Sequence, residues 1–437
     1  VKIKSTEDVT ACVVDYGTFT GLAEALSRTY KQVYYHCPVD REYRNIADDS
    51  TGEGLKKVTK LEDFFEPAIL HEIDLFIFPD IGFGGVQKYL RSIGKAVWGS
   101  NGAHELELER DLFLEILEEV GLPVAESKVL KGISALSEYL KNVKNKWVKI
   151  NKYRGNMETW FHTDYQHSAR RLESMSVIFG GMKEHITFVV QDTIESEVEC
   201  GYDGWCVDGK FPPISFQGYE KKNELYLGAA LEEEDIPEEI TYVNEKMSKI
   251  LKEVKYRNWW ATEIRVDKEG TPFFIDPTAR HPGQTGEHQW ETLSNIAEVI
   301  WAGANGEIIE PEFEWAFAAE ATLHYEGGVA NEAISQEWKI LDVPKSTRRW
   351  FKPYHYCLVD NVYNFIPSDK DEVGVVLGVG DSIKECIKHL KKNLDTMKDL
   401  PVYAKLAGFK DLIDSIRVAE EHGIKFAKEI PDIDDLI

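Results

Sequence analysis

The sequence predicts an α/β protein that opens with a doubly wound parallel sheet and continues into α+β units. Three observations carry this. Near-continuous apolar runs alternate with helical stretches over the first hundred residues, the character shifts at Leu106 to amphipathic helices around a long polar loop, and two strand-like runs near mid-chain each carry an acid.

In the first unit TACVVDYG is a strand ending at a glycine and TGLAEALSRTY a helix. KQVYYHCP is a second strand, IDLFIFPD a third, VQKYLRSIG a helix and AVWGS a fourth strand. Strands without polar alternation are covered on both faces, as in parallel sheets. Ligands of such sheets sit at the strand C-terminal ends, here the loops DYGTFTG and PDIGFGG, although glycines there also serve plain turns.

From Leu106, ELERDLFLEILEEVGLPVAES reads as one amphipathic helix closed by Gly121 and Pro123. The helix SALSEYLKN, strand KWVKINKY, polar loop RGNMETWFH, helix SARRLESMSVIFGG and strand TFVVQDTI then describe a small α+β lid. EVECGYDGWCV follows, and the stretch from about Gly204 to Glu310 mixes strands with the helix EITYVNEKMSKILKEV. After Pro311 come EVGVVLGVGDSIKECIKHLKKNL and an acidic tail, EIPDIDDLI.

The two acid-bearing runs are WWATEIRV, with Glu263, and PFFIDPTARHPG, with Asp276. Strand alternation sends Asp276, Thr278 and Arg280 to one side and Pro277 and Ala279 to the other. Glu263 and Arg265 are likewise in phase, and the connection DKEGT would bring the two rows together as a hairpin. Two carboxylates beside an arginine suit a divalent ion and the phosphates it carries, since magnesium favours one or two carboxylates plus phosphate oxygens and water. The alternative is an edge hairpin with solvated charges.

Composition narrows the setting. The chain has 437 residues, 43% hydrophobic and 29% charged, enough for two to four domains, and lacks the apolar run of a membrane span or signal peptide. A cytoplasmic, non-membrane protein is expected. A net charge of -25 argues against a nucleic-acid surface without forbidding a phosphorylated ligand in a locally basic cleft. The six cysteines form no CxxC pair and read as reduced, mostly buried residues.

The order of these elements resembles the ATP-grasp superfamily, and more narrowly the phosphoribosylamine-glycine ligase family. Four segments carry the resemblance. DLFIFPDIGFGGVQKYLRSIGKAVWGSNGAHELELERDLFLEILEEVGLPVAES is similar to the passage into the ATP-binding domain, and VVQDTIESEVECGYDGW to the hinge and ribose-contacting strand. FFIDPTARHPG resembles the family's acid-x-Asn-x-Arg metal strand, and EVGVVLGVGDSIKECIKHLKKNL the start of its last domain. The resemblance implies an N-terminal pre-ATP-grasp domain over 1–104, an ATP-grasp domain over 105–310 with a lid at about 125–195, and a C-terminal α+β domain over 311–437.

The resemblance also implies roles. Lys149, at the end of the strand in WVKI, would meet ATP phosphates, the alternative being a strand-end lysine in solvent. Arg110 stands where the superfamily has an earlier phosphate-facing lysine, the alternative being a surface arginine on a charged helix. The loop from Tyr153 to Thr159 would cover the phosphates, with Arg154 in place of the family's glycine amides. Gln191, Asp192 and Ile194 mark the adenine hinge, and Glu199 the ribose acceptor, with Glu195 and Glu197 as competitors. Glu263, Asp276 and Thr278 become ligands of magnesium, or of manganese in its place, and Arg280 stabilises the transferring phosphoryl group. Thr278 stands where the family has asparagine. His281 and His288 lie near the presumed substrate pocket but read as structural.

The reaction the resemblance implies is ATP-dependent ligation of a small-molecule carboxylate to an amine through an acyl phosphate, and a homodimer is the assembly it suggests. The family's Gly-Gly-Arg-Glu-His run is replaced here by DYGTFTG, and its His-Ala-Gly-Thr segment is missing. These losses point to another amine acceptor, a modified nucleotide or an amino-acid derivative. Phosphoribosylamine-glycine ligation itself and a non-catalytic ATP sensor stay open as alternatives.

Overall fold

The computed structural model describes residues 4–38, 50–103, 105–152, 158–326, 338–365, 371–427 and 430–432. Arg154 and the end of the acidic tail lie outside the described residues.

Strands β1 (Thr10–Val14), β2 (Gln32–His36), β3 (Val58–Lys60), β4 (Leu75–Ile77) and β5 (Ala96–Trp98) form a parallel sheet in the order β3-β2-β1-β4-β5. Every residue of central β1 is buried, as its unbroken apolar run requires. Helices α1 (Thr20–Leu26), α2 (Pro67–Glu72) and α3 (Gly84–Ser92) supply its connections. The order reverses between β1 and β4, and the loops leaving these strands meet where Tyr16 stacks on Phe83 at 5.3 Å.

The expected single helix after Leu106 is two. Helix α4 (Glu105–Leu108) and helix α5 (Arg110–Val120) are separated by Glu109, whose φ of -92° and ψ of 80° break the helix. Gly121 closes α5 in the left-handed conformation, φ 76°, as read from the sequence.

The lid is an antiparallel sheet of β6 (Ser127–Lys131), β7 (Lys146–Ile150), β8 (Thr159–His162) and β9 (Thr187–Asp192), in the order β6-β9-β7-β8. Helices α6 (Ile133–Leu140) and α7 (Tyr165–Phe179) pack on it around Leu136, Val148, Leu172 and Met175. The polar loop expected over 154–162 therefore ends earlier: Trp160 and His162 turn inward on β8, and His162 is held by Ser168 at 2.7 Å.

The body is a nine-stranded sheet. Its path runs β14 (Pro272–Thr278), β13 (Arg257–Asp267), β10 (Ser196–Val207), β11 (Ile214–Lys221), β12 (Leu225–Glu232), β15 (Phe317–Tyr325), β20 (Glu372–Gly380) and β17 (Phe351–Pro353), with β21 (Val402–Ala404) beside β15. Strands β16 (Lys339–Leu341), β19 (Val362–Phe365) and β18 (Tyr356–Val359) make a small separate sheet. Helices α8 (Glu238–Glu253), α11 (Ile383–Asp395) and α12 (Phe409–Glu421) contribute to the largest core on the back of the body sheet. Helices α9 (Gln289–Thr292) and α10 (Ile296–Ala304) join the body to the first sheet, where Trp98 and Trp259 meet edge to face at 5.4 Å.

All six cysteines are free and buried. Among the described residues no helix is long and apolar enough to cross a membrane.

Candidate active site

The site grows from the β13–β14 hairpin. Gly270, at φ 80°, and the Asp267 carboxylate, accepting from the Glu269 and Thr271 amides at 3.0 and 2.8 Å, close the turn. The hairpin starts in a register that pairs Ile264 with Phe274. Continued unchanged, that register would set Asp276 opposite Thr262, on the wrong face for Glu263. A one-residue bulge at Ile275 shifts it, so Glu263 stands directly opposite Asp276 and Ala261 opposite Thr278. Alternation alone could not deliver the side-by-side acids; the bulge does.

Register extends this face across the sheet. Glu263 is paired with Gly201, Arg265 with Glu199 and Ala261 with Asp203. Arg265 Nη2 lies 3.2 Å from Glu199 and 3.7 Å from Glu263, leaving much of both carboxylates open. Burial raises the pKa of Glu263 first, to about 8, and the charges of Glu199 and Asp276 add to that, against Arg265 and Lys149. The Glu263 side chain is nevertheless 39% open to the cleft, so water screens part of the push.

The lid supplies the opposing wall. Lys149 is 6% exposed and donates to Asp276 Oδ1 and Oδ2 at 3.0 and 3.1 Å, which excludes the solvated strand-end reading. Arg110 is also buried: its Nη1 donates to the Ile150 carbonyl at 2.8 Å, and its Nη2 lies 3.9 Å from Glu158. It is no surface arginine. Its guanidinium ties α5 to the lid while bordering the cleft.

Arg280 is positioned by Glu107 of α4. Glu107 Oε1 accepts from Arg280 Nε, and its Oε2 from the Ala279 amide, both at 3.2 Å; Arg280 Nη1 donates to the His281 carbonyl at 3.0 Å.

Together these walls enclose a cleft of ≈ 880 Å³. Arg110, Lys149, Gln191, Asp192, Ile194, Glu199, Glu263, Asp276, Thr278 and Arg280 all line it. Glu195 is not among the lining residues, and the Glu197 side chain lies outside the described ones. At the hinge, Asp192 pairs with Lys146 and Gln191 Nε2 donates to Ser127 Oγ at 3.1 Å, so both hinge side chains have partners. His281 and His288 are fully buried and structural. Trp290 Nε1 donates to His281 Nε2 at 2.8 Å, and His288 Nδ1 lies 2.7 Å from Glu320.

Sequence reasoning missed several lining residues. Trp147 was legible, since alternation in β7 puts it on the face of Lys149, and it joins Leu117, Leu225 and Phe273 as apolar lining. Glu107 carries no local signal among the acids of ELELERD. Glu220 and Lys222 also border the cleft.

Glu263 and Asp276 fit a divalent ion: two hard oxygen donors, adjacent and facing the cleft. Among the described residues no group of three or more His, Cys, Asp or Glu converges as a metal cage, so phosphate oxygens and water would complete any such coordination.

No family model and no curated protein matches the chain. Solved structures do. Phosphoribosylamine-glycine ligase from Thermotoga maritima superposes with a TM-score of 0.64 at 13% identity, over 91% of this chain and 98% of that one. The biotin carboxylase domain of the Hydrogenobacter thermophilus 2-oxoglutarate carboxylase, in complex with ADP, magnesium and bicarbonate, gives 0.63 at 13% identity over 96% and 99%. N5-carboxyaminoimidazole synthetase from Staphylococcus aureus, complexed with ADP, gives 0.58 at 11% identity over 91% and 99%. The chain has the ATP-grasp fold.

Proposed function

We propose that this protein is an ATP-dependent carbon–nitrogen ligase that activates a small-molecule carboxylate as an acyl phosphate and transfers the acyl group to an amine. One observation carries the reading: ten residues scattered from Arg110 to Arg280, which that chemistry would use, line a single cleft between lid and body.

In this reading the adenine lies against the apolar end of the cleft beside Trp147 and Phe273, held by main-chain groups of Gln191, Asp192 and Ile194, with Glu199 accepting the ribose hydroxyls. Lys149, Arg110 and Arg280 face the phosphates. Glu263 and Asp276, with Thr278 as a weaker third donor, would hold magnesium or manganese, which when bound neutralises phosphate charge. The carboxylate oxygen attacks the γ-phosphorus and ADP leaves. The amine lone pair then forms the C–N bond as the C–O bond to phosphate breaks, its electrons and the nitrogen's proton leaving with phosphate. No nucleophilic side chain is needed; positioning, charge neutralisation and exclusion of water do the work.

The test is magnesium-dependent ADP release across a panel of carboxylates and amines, with Asp276→Asn as control. Release that needs both a carboxylate and an amine supports the ligase. Tight ATP binding with no stimulation by any pair would instead favour a nucleotide-binding sensor.

A further inference from the structure

The Lys149 ammonium, on lid strand β7, finds an acceptor on body strand β14 for each of its three N–H groups. Its Nζ lies 3.0 and 3.1 Å from the two Asp276 oxygens and 3.4 Å from the Ile275 carbonyl. The third acceptor belongs to the bulge residue, which has no register partner on β13.

The two facing acids of the hairpin are held unequally. Arg265 approaches Glu263 only at 3.7 Å, beyond hydrogen-bond length, and sits closer to Glu199, at 3.2 Å. Asp276 has an N–H of Lys149 within bonding distance of each oxygen, while its side chain is still 44% open to the cleft.

This arrangement sets two roles against each other. In the ligase reading Lys149 faces phosphate oxygens and Asp276 holds a divalent ion. While the ammonium sits on β14 it has no N–H left for phosphate, and an ion at Asp276 would be pressed against it, like charge on like. Lys149 is 6% exposed, so leaving Asp276 for no partner would strand a buried charge. A phosphate oxygen is a partner that removes this cost, and the flexible four-carbon stem lets the ammonium reach it while β7 stays in place.

We propose that Lys149 is an exchangeable counter-ion for Asp276. Nucleotide phosphate draws the ammonium off and frees both Asp276 oxygens for a divalent cation; without phosphate the lysine keeps the cation out. Cation and nucleotide then bind cooperatively, each raising the other's affinity by the same factor. This rests on the phosphate and metal roles that the ligase reading gives to Lys149 and Asp276, and binding is measured apart from turnover so that the two can fail separately.

Paramagnetic resonance of free manganese measures cation binding to the full chain without nucleotide, and titration calorimetry measures ADP affinity with magnesium and with a chelator. In the wild type, manganese alone is expected to bind weakly, and ADP about tenfold more tightly with magnesium than without. Lys149→Met and Lys149→Gln are expected to raise manganese affinity about tenfold and to lower magnesium-free ADP affinity, opposite signs that a merely structural lysine would not give. Lys222→Met, which takes an exposed positive charge from the same cleft, should stay within about twofold of wild type in manganese affinity. Tight manganese binding by the wild-type chain alone overturns the exchange and needs no variant. Manganese affinity unmoved in both Lys149 variants, or raised equally by Lys222→Met, overturns the exchange and, where magnesium still tightens ADP, leaves the ligase reading standing. ADP affinity indifferent to magnesium in the wild type, with no manganese bound in any variant, overturns the metal role of Asp276 and the ligase reading with it.

Discussion

Lys149 on the lid sheet donates to both carboxylate oxygens of Asp276 on the body sheet, at 3.0 and 3.1 Å. The contact joins the proposed phosphate-facing cation to a proposed metal ligand across the two walls of the cleft. Residues that act as one unit lose activity non-additively. Lys149→Met and Asp276→Asn are each expected to lower ATP turnover about 10²- to 10³-fold, in the range seen for removal of a group that stabilises transition-state charge. The double variant should be little worse than either. Initial rates of ADP formation in all three proteins check this, and a double variant showing the product of the single losses would show that the two act separately.

Arg280 is held by the Glu107 carboxylate, which also accepts from the Ala279 amide. Glu107→Gln keeps the shape and removes the charge that orients the guanidinium. Turnover is expected to fall about tenfold or more while KM for ATP changes little, because the adenine and ribose contacts lie elsewhere. Steady-state kinetics give the split. A rise in KM alone would move Glu107 from orienting Arg280 to building the nucleotide pocket.

Thr278 stands opposite Ala261 in the register, so its neighbour leaves space for a longer side chain. Thr278→Asn would extend an amide oxygen toward the Glu263–Asp276 pair, a better oxygen donor than a short hydroxyl. Half-saturation by magnesium in a nucleotide-binding titration is expected to fall several-fold. An unchanged magnesium dependence would place Thr278 outside the ion's coordination.

Glu291 gathers cations from distant parts of the chain. Arg28, just after α1, grips both its oxygens at 2.7 Å, Arg349 Nε donates at 2.8 Å, and Lys352 Nζ completes the set. Burial pushes the Glu291 carboxyl up, but Lys352 and Arg28 outweigh it and hold the pKa at about 2. Glu291→Gln would leave the buried Lys352 ammonium without its counter-charge and take one carboxylate partner from the half-exposed Arg28 and Arg349, the latter keeping Glu314 at 3.6 Å. Such breakage of a buried ion pair costs about 3–5 kcal/mol. Denaturant titration measures it, and a loss below about 1 kcal/mol would mean the cations find other partners.

Much of this was legible in the sequence, for stated reasons. Unbroken apolar runs such as TACVV and DLFIF fixed the parallel sheet, because only strands covered on both faces lack polar alternation. Asp276 was legible from the alternation that aligns it with Thr278 and Arg280, and Lys149 from the resemblance carried by WVKI; each lies just inside the end of its strand. The break at Glu109 was not, because the apolar spacing runs through it; the break comes from tertiary contacts, with Leu108 bonding the lid at Lys152 and Arg110 at Asn151. The bulge at Ile275 was hidden too, since no glycine or proline marks it. Glu107 was unreadable because its partner is far along the chain, at Arg280.

The buried acids near α9 set the pH response. Glu287 and Glu320 are fully buried; burial raises Glu287 to about 8, with the charge of Glu320 adding to the rise, and raises Glu320 to about 7 against hydrogen bonds with the His288 amide and Glu287. Both would titrate near 4.5 when unfolded, so between that value and 7 to 8 the folded chain holds protons that the unfolded chain has released. Stability therefore falls as pH rises through this window, by up to about 1.4 kcal/mol per pH unit for each retained proton. His288 acts in the opposite sense: burial lowers it to about 3, so its contribution is lost as pH falls below its ordinary 6.5. The two effects oppose one another below pH 6.5, and above it the acids act without that opposition. The thermal midpoint is expected to decline from pH 6.5 to 8, and Glu287→Gln, which carries no titrating group, to decline less steeply. Equal slopes for the two proteins across that interval would remove Glu287 from the proton-holding set.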